Sequence, residues 1–252
     1  MIARCLLGLG LFVFLACPVA AQEATDANLI TAIDVSGSVK PADERLELEG
    51  MAQAVADPMF LQAIQRGMHG RIGFVAFTWA NGEFIPLVPW TRIGSKAEAE
   101  QVAERLRAAR GMPVLGYAMP NPDEVRPWRP GHATDVSAAI DYAMGVSVAA
   151  PFASQHRVIN ICANGIDNVW EGPAAARDRA LAQGLIINGL VLGNREDSEQ
   201  TAAYFREQVQ AGPGSFVLEV RAFEDITKAM LAKFVVELAA LQARQAVRER
   251  RS

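Results

Sequence analysis

Short apolar runs alternate with amphipathic stretches along most of the chain. Leu29, Ile30, Ala32, Ile33 and Val35 make a nearly continuous apolar run within residues 28–36, the pattern of a strand covered on both faces. Ile72, Phe74, Val75 and Phe77 repeat that pattern over 71–78, as do residues 158–162, 185–192 and 215–220. Between them lie helical segments. Pro41 with Asp43 and Glu44 marks a helix start, since proline fits the first turn and carboxylates suit the positive helix end. That helix continues through 46–55, and a short second one is expected over 58–66. Further helices are expected at 96–110, 134–144, 173–183 and 198–210. Ile226, Met230, Phe234 and Leu238 recur every four residues in a long amphipathic helix at 223–246. Asn81-Gly82 signals a hairpin, with 84–88 returning antiparallel and Pro86 and Pro89 holding that strand to a sheet edge.

This alternation predicts an α/β fold: a doubly wound, mostly parallel six-stranded sheet with one antiparallel edge strand and helices on both faces. Ligands of such sheets gather at the carboxyl ends of the strands, where strand order reverses. Attention therefore falls on the loops after Ile33, Ile161 and Leu192. Residues 111–133 contain Pro113, Pro120, Pro122, Pro127 and Pro130, a long loop of the kind that carries function or stays disordered.

The first 21 residues read as an export signal. Arg4 precedes the apolar run 6–16, and Val19, Ala20 and Ala21 supply small residues before Gln22. The run is too short for a membrane span. Cys17 opens a lipoprotein alternative, which Phe14 and Pro18 fit poorly. Residues 22–252 then form one domain in a periplasmic or secreted protein. Without Arg4 the chain has 23 basic against 28 acidic residues, a balance that argues against nucleic acid as a partner. Cys162 is its only cysteine, so no internal disulfide is available.

Asp34-Val35-Ser36-Gly37-Ser38 lies where the first strand ends and the first helix begins. Alternate residues of an extended segment share a direction, so one carboxylate and two hydroxyls converge. Such hard oxygen donors suit Mg²⁺ or Mn²⁺ better than zinc. A plain strand-to-helix turn with a capping hydroxyl explains one or two of these residues, but not an acid ending a buried strand.

Asp34, Ser36 and Ser38 also match the Asp-x-Ser-x-Ser signature of the metal-ion-dependent adhesion site in von Willebrand factor A domains. The chain resembles that superfamily, and more closely its secreted, uncharacterised bacterial members, over roughly residues 29–241. The resemblance implies that Thr134, in Gly131-His132-Ala133-Thr134, is a further ligand; taken alone it also suits a helix cap. Family members usually carry an aspartate after the fourth core strand. Here Asn164 stands in that place, within Ala163-Asn164-Gly165-Ile166-Asp167-Asn168. An amide brings no charge, and two outcomes stay open: a weakly held ion with Asp167 compensating in part through water, or a less neutralised ion that attracts an acidic ligand more strongly.

The resemblance further implies a non-enzymatic module whose cation is completed by a carboxylate from a partner protein. Trp128, His132 and Trp170 are candidate partner contacts, loop packing being the alternative for the tryptophans. Two other classes remain open: a Mg²⁺-dependent phosphohydrolase using Asp34, and a degenerate site serving only as scaffold. The first wants a second acid two residues on, where Ser36 stands. A dinucleotide-binding turn would need more glycines than Gly37 alone.

Overall fold

The computed structural model describes residues 22–109, 133–169, 172–193, 195–222 and 225–249. The expected leader and nearly all of the 111–133 loop lie outside them. Among the described residues eight strands and seven α-helices follow one another as β1 (Glu23–Ala24), β2 (Asn28–Asp34), α1 (Pro41–Ala56), α2 (Pro58–Gln65), β3 (Ile72–Ala80), β4 (Glu83–Ile93), α3 (Lys96–Ala108), α4 (Val136–Val148), β5 (Phe152–Ala153), β6 (Arg157–Ala163), α5 (Ala174–Ala182), β7 (Leu185–Leu192), α6 (Arg195–Tyr204), β8 (Val217–Val220) and α7 (Ile226–Glu249).

Six strands form one sheet in the order β4-β3-β2-β6-β7-β8. All its pairs are parallel except β3 with β4. The expected architecture is therefore the observed one. Every residue of β2, β3 and β7 is buried, because both faces carry helices. Parity divides β2 between the two layers. Leu29 and Ile33 pack toward α1, α2, α3 and α7, whereas Ile30 and Ala32 pack toward α4, α5 and α6.

The chain leaves β2 for β3 on one side and returns to β6 on the other. The strand order thus reverses between β2 and β6, and their carboxyl ends flank the crevice there. Asp34 ends one strand and Asn164 follows the other.

Several boundaries differ from expectation for identifiable reasons. The edge strand is longer, because register shifts near Phe74, Ala76 and Phe77 let it carry Pro86 and Pro89 without losing its pairing. Asn81 and Gly82 both adopt positive φ (48° and 74°), as a tight hairpin requires. α6 starts before Ser198 and closes in a π-helical turn, Phe205–Val209. The ribbon of β1 with β5 was not expected; two-residue strands leave no periodicity to read.

α7 covers the sheet with its predicted apolar stripe, and beside that stripe it buries two charges. Lys233 and Glu237 are 1% and 2% exposed and lie 3.5 Å apart. Asn188 of β7 donates to Glu237 at 2.7 Å and Asn160 of β6 at 3.2 Å, while Lys233 donates to the Asn160 carbonyl. Every charge in the group is thus partnered, as burial demands.

Candidate cation site at the strand switch point

β2 delivers Asp34 into the crevice almost wholly buried, at 1% exposure. The Ser36 amide donates to its Oδ1 at 2.7 Å, which turns the chain from strand toward α1. Its Oδ2 is buried and meets no hydrogen-bond donor. Burial pushes the Asp34 carboxyl up to about 6, against the opposing pull of the Ser36 amide and hydroxyl and of the Asn164 backbone amide.

The hydroxyls expected to converge do so. Ser36 Oγ lies 3.3 Å from Ser38 Oγ and 3.1 Å from Thr134 Oγ1, although Thr134 is 98 residues away in the chain. Thr134 is buried but does not cap α4. That helix begins at Val136, and its cap is Asp135, whose side chain accepts from the Ala138 amide at 2.8 Å. The Thr134 hydroxyl is therefore left for the crevice. On the opposite wall Asn164 Oδ1 accepts a hydrogen bond from Ser38 Oγ at 2.7 Å. Asn164 thus joins the cluster through its carbonyl oxygen.

Asp167 has another task. Its Oδ2 accepts from the amides of Val136 (2.8 Å) and Ser137 (3.3 Å), and its Oδ1 from Val169 (3.0 Å). The carboxylate expected to help neutralise an ion is engaged instead with the backbone at the start of α4. Burial raises its pKa, and those three amides oppose the rise. Asn168 completes the fastening: its Oδ1 accepts from the Thr134 amide at 2.9 Å, and its amide donates to the Thr134 carbonyl at 3.0 Å. The Asn81 amide holds the Ala133 carbonyl at 2.9 Å from the hairpin side. The loop after β6 and the hairpin together place Thr134. Asn168 carried no signal in the sequence, because its work is done through backbone groups of a segment remote along the chain.

Trp128, His132 and Trp170 lie outside the described residues. His69 and His156 precede β3 and β6 and line a cavity of about 510 Å³ with Asp26, Met68 and Gln245. Among the described residues no three His, Cys, Asp or Glu side chains gather as a metal cluster; the crevice gathers one carboxylate with hydroxyl and amide oxygens. No helix among them is long and apolar enough to cross a membrane.

Comparison with solved structures agrees with this geometry at the level of fold. Proximal thread matrix protein 1 from the mussel byssus superposes with a TM-score of 0.56 at 14% identity, covering 87% of this chain and 49% of that one. A structure of the same protein with a zinc-occupied MIDAS motif gives 0.56 at 15% identity, with the same coverage. The pilus adhesin SpaC from Lactobacillus rhamnosus GG gives 0.50 at 9% identity, covering 85% of this chain and 31% of that one. This chain therefore spans half or less of these proteins. No curated protein matches the sequence. The fold is von Willebrand factor A-like. The family described as "Protein of unknown function (DUF1194)" matches residues 24–120 and 123–242, nearly the whole described chain, and the protein belongs to that family.

Proposed function

We propose that this protein is a non-enzymatic binding module that holds a divalent cation, Mg²⁺ or Mn²⁺, and uses it to engage a carboxylate of a partner protein. Asp34, Ser36, Ser38 and Thr134 hold the ion, with the Asn164 carbonyl as a further ligand or water contact. The observation that carries this reading is Asp34 Oδ2, a buried carboxylate oxygen without a donor, beside hydroxyls 3.1 to 3.3 Å apart. A buried carboxylate oxygen left without a donor is costly, and a hard cation relieves that cost with oxygen ligands of this kind.

Charge points to the partner. Asp34 supplies the only anionic oxygen among these ligands, so a bound hard dication favours a further anionic oxygen, which an acidic ligand supplies. A matrix protein and a pilus adhesin among the structural neighbours support a binding role over a catalytic one. Trp128, His132 and Trp170 are the residues this reading assigns to partner contact, since specificity is commonly carried outside the rigid scaffold. Residues 1–21 export the protein.

The alternative with a specific observation behind it is a degenerate site serving only as scaffold. The 2.7 Å Ser38–Asn164 hydrogen bond lets two site residues satisfy each other without an ion. Calorimetric titration of the purified protein with Mg²⁺ and with Mn²⁺ separates the two readings. Saturable binding that disappears in Asp34→Ala supports the cation site, and no binding of either ion leaves the scaffold. Co-purification with and without chelator then tests the partner: retention unchanged by chelation overturns cation-mediated engagement.

A further inference from the structure

α1 carries one residue that its burial pattern does not explain. Leu48, Met51, Ala52 and Val55 face the core, and Glu47 shares their burial at 2% exposure. It belongs to the half of α1 nearer Pro41, and that helix starts directly after the Ser36–Ser38 loop. Its Oε1 is buried and meets no hydrogen-bond partner. Acids are almost never kept fully buried unless something compensates them.

We infer that Glu47 is a second acid of the cation site, acting from the α1 side of Asp34 and supplying the negative charge that Asn164 does not. This rests on reading Asp34, Ser36, Ser38 and Thr134 as ligands. Asp34 Oδ2 and Glu47 Oε1 are both buried without a donor, and the two carboxyls are near enough for the charge of Asp34 to act on Glu47. A single dication offsets the burial cost of both. Lys233 and Glu237, buried on the same helical layer, form the contrast, since their charges are partnered within the fold. Burial pushes the Glu47 carboxyl well above the usual carboxylate range, and the negative charges of Asp34 and Glu44 push it further. A bound dication acts on it in the opposite sense. Glu47 is a positioning and charge-balancing residue here, not a ligand.

The test is calorimetric titration of the purified protein with Mn²⁺, paired with thermal unfolding in chelator. Glu47→Gln should weaken Mn²⁺ binding about tenfold or more, equivalent to about 1.4 kcal/mol. The same variant should melt higher than wild type in chelator, because the uncompensated acid is gone. A purely structural residue would not move these two readouts in opposite directions. In an Asn164→Asp background, where the missing charge is restored, the loss caused by Glu47→Gln should shrink to less than half on a logarithmic scale. Glu47→Met serves the same comparison if the glutamine variant does not fold. Unchanged Mn²⁺ affinity in Glu47→Gln overturns the inference, and so does an equal loss in both backgrounds. Wild-type binding that is lost in Asp34→Ala but indifferent to Glu47 leaves the cation site standing and removes only Glu47. A wild-type protein that binds no Mn²⁺ removes both.

Discussion

Replacing Asp34 by asparagine isolates the electrostatic cost built into the crevice. The substitution keeps an oxygen to accept the 2.7 Å bond from the Ser36 amide and removes the ionisable oxygen that has no donor. In the wild type, burial raises the carboxyl from 3.8 to about 6. The unfolded chain therefore releases this proton at lower pH than the folded one. Stability of the cation-free protein falls as pH rises through that window; the cost is absent below 3.8 and fully present above about 6. At 1.36 kcal/mol per pH unit the cost amounts to about 3 kcal/mol. Urea unfolding in chelator measures it. The stability of Asp34→Asn relative to wild type should climb by about 3 kcal/mol between about pH 4 and about pH 7, then level off. A constant offset between the proteins leaves the reasoning intact, since the slope carries it. A difference that stays flat with pH, or falls as pH rises, refutes the claim that the fold compensates the buried Asp34 charge only in part. Saturating Mn²⁺ should stabilise the wild type and not the variant, because only the former binds the ion in its folded state.

Three other outcomes follow from the same geometry. Asn164→Asp should tighten Mn²⁺ binding about tenfold or more by calorimetry: a carboxylate keeps the Ser38 bond, and a unit charge about 4 Å from a dication is worth about 8 kcal/mol before desolvation, of which a fifth suffices. Asn168→Ala removes the acceptor of the Thr134 amide; thermal melts should show a loss of about 1 to 3 kcal/mol, and Mn²⁺ titration a weaker site, because Thr134 is no longer held. Lys233→Met should cost about 3 to 5 kcal/mol in urea unfolding by leaving Glu237 buried without its cation, and adding Glu237→Gln should recover most of the loss.

The sheet was legible because its strands bury both faces, so local apolar runs sufficed to find β2, β3, β6 and β7. β4 was harder, since its prolines look like terminators until the bulges opposite them are seen. Glu47 and Lys233 were illegible for a related reason. Each is a charged residue in a helix whose apolar periodicity already accounts for packing, and only the assembled layers show that both lie inside. Thr134 was ambiguous between helix cap and crevice ligand. Asp135 takes the cap, a choice that depends on backbone angles no composition encodes.

Local chemistry determined that an acid and two hydroxyls meet at the end of the first strand, because a short extended segment dictates its own side-chain directions. Only tertiary structure decided who joins them. Thr134 and Asn164 reach the same crevice because strand order reverses between β2 and β6, bringing loops about 100 residues apart to one point. The same assembly engaged Asp167 with the α4 backbone, since unpaired amides at a helix start bind the nearest carboxylate. Spacing along a chain cannot rank such competing partners; their distances in the folded protein do.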